Sequence, residues 1–260
     1  MSLVSTTIDK NGVATLTLCD EANLNAMSET MAKDFRAAVQ DLKAKRTARV
    51  VILAGAGKAF SAGGHLAMLD AKRSLGGEEN RAQMLAFYES FLCILDLHVP
   101  LIAALHGAAV GAGLCLACAC DIRVASNDAK LGFTFLKLGL HPGMGGTYFV
   151  PRIVGPGRAT ELLVTGRIIG ADEALRIGLV SKVCERDKLL SEAHAVASEV
   201  LSCGPAATAQ LLETMRGDSA HLEHALAREA VCQSVNYGSA EFAEGLAAVK
   251  EKRGPKFSKA

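Results

Sequence analysis

The 260 residues are enough for one large domain, and half of them are hydrophobic, so a sizeable buried core is available. The formal net charge is +1, which gives no electrostatic footprint for nucleic acid or for an anionic membrane as main partner. The eight cysteines lie mostly in apolar stretches, and the start, MSLVSTTIDK, has neither a basic n-region nor an apolar h-region. Reduced thiols in a cytoplasmic setting, serving as small packing residues, are the expectation.

In chain order, LVSTTID and VATLTL flank Asn11-Gly12 and read as a hairpin. Ser28 is placed to cap a helix that runs to about Lys45, with Met31, Phe35, Val39 and Leu42 on one face. RVVILAG (49–55) is a buried strand, followed by the Gly/Ala loop GAGKAFSAGGHL. A helix is predicted over about 80–97, with Met84, Phe87, Phe91 and Leu95 as its stripe.

Residues 99–120 carry no formal charge and approach membrane-spanning length. Pro100, His106, Gly107, Gly111 and Gly113 interrupt them, so strand, turn and buried helix fit better. The strand IRVAS follows. Beyond LGLHPGMGG the spacing predicts helices at 156–165, 171–177, 187–201, 205–216, 219–235 and 239–251. Apolar stripes on the last two (Leu222, Ala225, Leu226, Val231; Phe242, Leu246, Val249) call for burial against the core or a partner. The pattern reads as an α/β core over 1–199 with a C-terminal helical subdomain over 200–260.

Several chemistries are poorly supported. Cys115, Cys118 and Cys120 crowd one helix, but no second C-x-x-C or suitably spaced His pair completes a zinc site; His221 and His224 are far off. GAGK (55–58) lacks the first P-loop glycine, and position 59 is Ala. Gly111-x-Gly113 lacks the third glycine of a dinucleotide fingerprint, because Leu116 holds that place. AFSAG (59–63) is a variant nucleophile elbow, so a serine hydrolase using Ser61 with Asp121 or Asp172 stays open as an alternative. Two glycine turns remain, at Gly63-Gly64 and at Gly111-Ala112-Gly113. They read equally as tight connections or as backbone N–H groups brought to a ligand.

At these turns the chain resembles the crotonase, or enoyl-CoA hydratase/isomerase, family. The likeness is carried by LNAMS (24–28), KAFSAGGHL (58–66), HGAAVGAGLCLACACDIRVAS (106–126), LGLHPGMGGTYFVPRIVG (138–155) and LLVTGRIIGADEALRIGLVSKV (162–183). It implies a crotonase-like spiral of β-β-α units and a homotrimer or a homohexamer built as a dimer of trimers. The implied substrate is an acyl-CoA thioester, with coenzyme A entering as part of it and no tightly bound cofactor. By resemblance, the backbone N–H groups of Gly64 and Ala112 form an oxyanion hole for an enolate. Asn25, Ala26, Met27, Ala62, Gly63 and Leu66 lie along the CoA site, with Lys256 and Phe257 of the basic tail helping from a neighbouring subunit.

The two glutamates of family hydratases fall at Cys115 and Phe135, neither of which is a carboxylate base. Isomerisation, decarboxylation, hydrolysis or a non-standard hydration are therefore the expected reactions, with a non-catalytic acyl-CoA binder as the alternative. His65 is the candidate acid or base. Cys115, Phe135 and His141 are expected to line the pocket.

Overall fold

The computed structural model describes residues 2–258. The chain begins with the expected hairpin. β1 (Val4–Ile8) and β2 (Val13–Leu18) pair antiparallel, and the Asp9 carboxylate in the turn accepts the N–H groups of Asn11 and Val13. From β2 onward the large sheet is parallel. It adds β3 (Val50–Gly55) and β4 (Leu101–Leu105).

Three short strands then alternate between layers: β5 (Ala108–Val110), β6 (Ile122–Ser126) and β7 (Lys130–Gly132). β8 (Ile168–Gly170) and β9 (Lys182–Cys184) complete the set. The large sheet has the order β1-β2-β3-β4-β6-β9, and β5-β7-β8 form a small second sheet in which β7 and β8 run antiparallel.

The helices are α1 (Glu29–Lys45), α2 (Leu66–Ala71), α3 (Gly77–Leu92), α4 (Ala112–Ala119), α5 (Gly146–Val154) and α6 (Pro156–Thr165). They continue as α7 (Ala171–Arg176), α8 (Leu189–Leu201), α9 (Pro205–Arg216), α10 (Ser219–Asn236) and α11 (Ala240–Lys250). Each early turn of the chain lays a strand in the large sheet, then a short extended piece in the second layer, then a helix. Isolated bridges Met27–Gly64 and Ser61–Ala109 and the β5–β7 pairing stack those pieces on one another. This is the expected crotonase-like spiral of β-β-α units.

Parallel strands buried on both faces need apolar residues at every position, and β3 supplies them. Val51 and Leu53 enter the main core with Phe35 of α1, Phe91 of α3 and Leu114 of α4. Val50, Ile52 and Ala54 face the other way, onto Leu189, Ala193 and Ala197 of α8. In α1 the Ser28 hydroxyl accepts the Met31 N–H, and Met31, Phe35, Val39 and Leu42 are buried, as the spacing predicts.

Elsewhere the expectations need correction. α3 starts earlier than predicted and ends at Leu92, with a separate short turn over 93–96. Residues 99–120 divide into β4, β5 and α4. α5 escaped prediction because it opens after Gly145 and contains Pro151, both of which argue against a helix. On α10 the buried face carries Leu226, Glu229, Ala230 and Gln233, whereas Val231 is exposed.

The core shows no break near residue 200: Leu226, Ala230, Tyr237, Phe242 and Leu246 belong to the same cluster as the sheet. α9 differs, for it buries no residue. Its last side chain, Arg216, forks onto the Asp121 carboxylate at 3.0 and 2.7 Å and also donates to the carbonyls of Leu95, Leu97 and Val99.

Candidate active site

The two glycine turns meet. Gly63 has φ +83° and Gly111 φ +53°, backbone states that favour glycine. A Cβ at Gly63 would stand 2.8 Å from the Val110 carbonyl and 3.6 Å from the Ala112 nitrogen, so side chains are excluded where the loops touch.

Their hydrogen bonds leave one N–H spare on each side. Gly63 N–H donates to Ser61 Oγ and His65 N–H to the Met27 carbonyl, while Val110 and Gly111 N–H donate to the Ser61 and Gly132 carbonyls. Among the described residues, neither Gly64 nor Ala112 N–H has a protein acceptor. Ala112 is also the first residue of α4, where a helix presents its positive end.

Both residues line a cavity of about 620 Å³. Ala26, Ala62, Gly63, His65 and Leu66 line it too, and α3, α10 and α11 close it with Met84, Phe87, Tyr88, Gln233 and Val249, joined by Tyr237 just past α10. The walls are largely apolar. The His65 ring is half-buried beside Gly64 and has no hydrogen-bonding partner among the described residues.

Asn25 and Met27 are held by the fold itself. The Asn25 side chain is fully buried; its amide donates to the Ala56 and Ala59 carbonyls and its oxygen accepts Asp20 N–H. Met27 is fully buried as well, and its backbone pairs with Gly63 and His65. Both brace the Gly63-Gly64 loop from behind, and neither lines the cavity.

Phe135 lines the cavity, as expected, and Cys115 does not. Its thiol is fully buried, and desolvation raises its pKa well above the ordinary range, so it stays protonated. Burial likewise pushes Cys118 to about 11 and Cys120 to about 12. These are inert packing thiols in a crowded helix.

His141 also lies outside the main cavity. Its Nδ1 is 2.7 Å from the Pro142 carbonyl, and its ring borders a second hollow of about 560 Å³. Phe257 lines that second hollow. The Lys256 N–H donates to Glu244 and its side chain does not reach the main cavity; the last two residues of the basic tail lie outside the described residues.

Ser61 is committed to the loop's own hydrogen bonds. It is fully buried, donates its hydroxyl to the Asn25 carbonyl at 2.8 Å and accepts Gly63 N–H. Among the described residues no histidine bonds to it, so the arrangement gives the serine-hydrolase alternative no support.

A family model described as Enoyl-CoA hydratase/isomerase matches residues 9–260. The chain belongs to the enoyl-CoA hydratase/isomerase family. It is 37% identical over 253 residues to a putative enoyl-CoA hydratase of Thermus thermophilus, covering 96% of this chain and 99% of that one. It is 36% identical to a crotonyl-CoA hydratase of Syntrophomonas wolfei, covering 90% of each. The crystal structure of an enoyl-CoA hydratase from Bacillus halodurans matches the fold with a TM-score of 0.87 at 26% identity, over 95% of this chain and all of that one.

Sequence reasoning missed four residues of this enoyl-CoA hydratase/isomerase family site. Tyr88, Gln233 and Tyr237 reach the cavity wall. Glu229, fully buried behind it, accepts the N–H groups of Gly145 and Thr147 and the Thr147 hydroxyl, and so caps α5. Burial raises the Glu229 pKa, and the three hydrogen bonds oppose that rise. Two of the chain's three tyrosines and two polar residues on a core-facing helix were the available signal.

Proposed function

We propose that the protein is an enzyme that binds an acyl-CoA thioester and stabilises an enolate formed from it. The observation that carries this reading is the pair of unpartnered N–H groups, Gly64 and Ala112, at the wall of a largely apolar cavity. A thioester carbonyl accepts both hydrogen bonds. As the α-carbon takes on carbanion character, charge moves to that oxygen and the two bonds strengthen, which lowers the barrier rather than merely tightening binding.

His65 is the group proposed to move the proton, since its ring lines the cavity next to Gly64. The carboxylate pair used for water addition has no counterpart here, because Cys115 is a buried neutral thiol and Phe135 a hydrocarbon wall. Isomerisation, decarboxylation, hydrolysis or hydration through another base are the reactions consistent with that wall. A non-catalytic binder is the second reading, favoured by the same two residues.

The proposed assembly is a homotrimer or a homohexamer; exposed Leu136, Val231, Val235 and Phe257 beside the second hollow support it. Free cysteines throughout support a cytoplasmic setting.

The test is a panel of acyl-CoAs incubated with the protein and read by mass spectrometry for both binding and product. Conversion of at least one thioester is expected. Binding without any product establishes the binder instead, and no binding overturns both readings.

A further inference from the structure

One cluster in the cavity is not absorbed by the oxyanion loops. Tyr88 of α3, Gln233 of α10 and Tyr237 just past the end of α10 set two phenols and an amide into an otherwise apolar wall, each at most 3% exposed. Tyr88 donates to Gln233 Oε1 at 2.9 Å, and Gln233 Nε2 donates to the His141 carbonyl at 2.7 Å. The Tyr237 hydroxyl lies 3.2 Å from Gln233 Oε1 and 3.3 Å from Met84 Sδ, two acceptors for one proton.

A primary amide has two N–H donors, and a phenol keeps two lone pairs beside its proton. One Gln233 N–H and acceptor positions on both tyrosines are therefore uncommitted. Gly143, also in the cavity wall, keeps them open. A Cβ there would stand 2.5 Å from Tyr88 Oη and 2.7 Å from Gln233 Nε2, so any side chain would cover both atoms.

The cluster is uncharged. Burial raises the pKa of both tyrosines, and they remain phenols at neutral pH. Behind them, the Glu229 carboxylate is near enough to repel an anion on Tyr88, and the same field works against an anionic substituent on a ligand. His65 and Lys137 are the basic side chains of the lining, and Lys137 is exposed. A neutral donor–acceptor set in a dry wall fits a neutral oxygen. An all-hydrocarbon acyl chain would leave the spare amide N–H without a partner, and a site built this way discriminates against such a ligand.

Resting on the acyl-thioester reading above, we infer that Tyr88, Gln233 and Tyr237 form a specificity subsite for acyl groups that carry a neutral oxygen, a carbonyl or a hydroxyl, beyond the reacting carbons. The subsite positions that oxygen while Gly64 and Ala112 hold the thioester.

The experiment is calorimetric titration of the full chain with hexanoyl-CoA and with its 4-oxo, 5-oxo and 6-hydroxy analogues. Oxygen at C3 is left out because elimination there would change the ligand during the titration. At least one oxygenated analogue is expected to bind about tenfold tighter than hexanoyl-CoA. Tyr88→Phe and Gln233→Met should erase that preference, read as the ratio of the oxygenated-analogue to the hexanoyl-CoA dissociation constant returning to about one. Tyr237→Phe, which removes one hydroxyl of the same cluster, gives the same readout if the other variants unfold.

Hexanoyl-CoA binding as tightly as every oxygenated analogue overturns the subsite and leaves the acyl-thioester reading intact. Equal weakening of all ligands by the variants also overturns it, because the cluster is then only a brace between α3 and α10. If none of the four thioesters binds, the failure lies with the acyl-thioester reading itself.

Discussion

Ala112 and Cys115 stand one turn apart on α4, and the structure treats them oppositely. Ala112 offers a backbone N–H to the cavity, so the identity of its side chain matters little. Cys115 sits where only the side chain counts, and it is buried away from the cavity as a neutral thiol. A function delivered by the main chain survives substitution as long as the loop keeps its path. A function delivered by a carboxylate is lost with that carboxylate.

The largest expected effect removes the backbone donor itself. Proline is well tolerated at the first position of a helix, where its missing N–H has no intrahelical role. Ala112→Pro should therefore leave the thermal midpoint within a few degrees while lowering turnover of any accepted thioester by about 10²–10³-fold. If kcat is unchanged, Ala112 is not an oxyanion donor.

The next effect concerns the side-chain wall. Hydration of crotonyl-CoA, followed by loss of enoyl absorbance, should run at least about 10²-fold below ordinary hydratase rates. Cys115→Glu alone should restore nothing, because Phe135 still occupies the partner's place. It should also cost on the order of 3 kcal/mol in urea unfolding, since it adds a second buried carboxylate near Glu229. Cys115→Glu with Phe135→Glu is the variant in which a trace of hydration is expected. Wild-type hydration at full rate would mean that His65 or another group had replaced the pair.

The smallest effect is a slope. The Glu229 pKa is raised from 4.5, so the native state holds this proton more tightly than the unfolded chain does. Its contribution to stability is full at low pH and falls as pH rises from that ordinary value through the raised one. Glu229→Gln removes the step. The stability difference between wild type and variant, measured by urea unfolding from pH about 4 to about 8, should shrink as pH rises. A constant difference would show that the three hydrogen bonds fully offset the burial.

What the sequence disclosed follows the same division between backbone and side chain. α1 was legible because Ser28, its stripe and its length all agree. The glycine loops were legible because positive φ leaves a mark in the residue type. α10 was misread because its inward face is partly polar: Glu229 caps α5 and Gln233 joins the cavity wall, so hydrophobic spacing alone chose the exposed Val231. Asn25 and Met27 sit in a recognisable motif, but a motif does not say whether a residue touches the ligand or braces the loop that does. Only the Asn25 hydrogen bonds to Ala56 and Ala59 decide that.

Gly64 and Ala112 precede residue 113, whereas Gln233 and Val249 of α10 and α11, with Tyr237 in the turn between them, close the cavity. On the ribosome the donors therefore emerge first, into a trough that lacks its last wall. At ordinary elongation rates that interval lasts on the order of ten seconds. The cavity wall is complete only once the last two helices have been made.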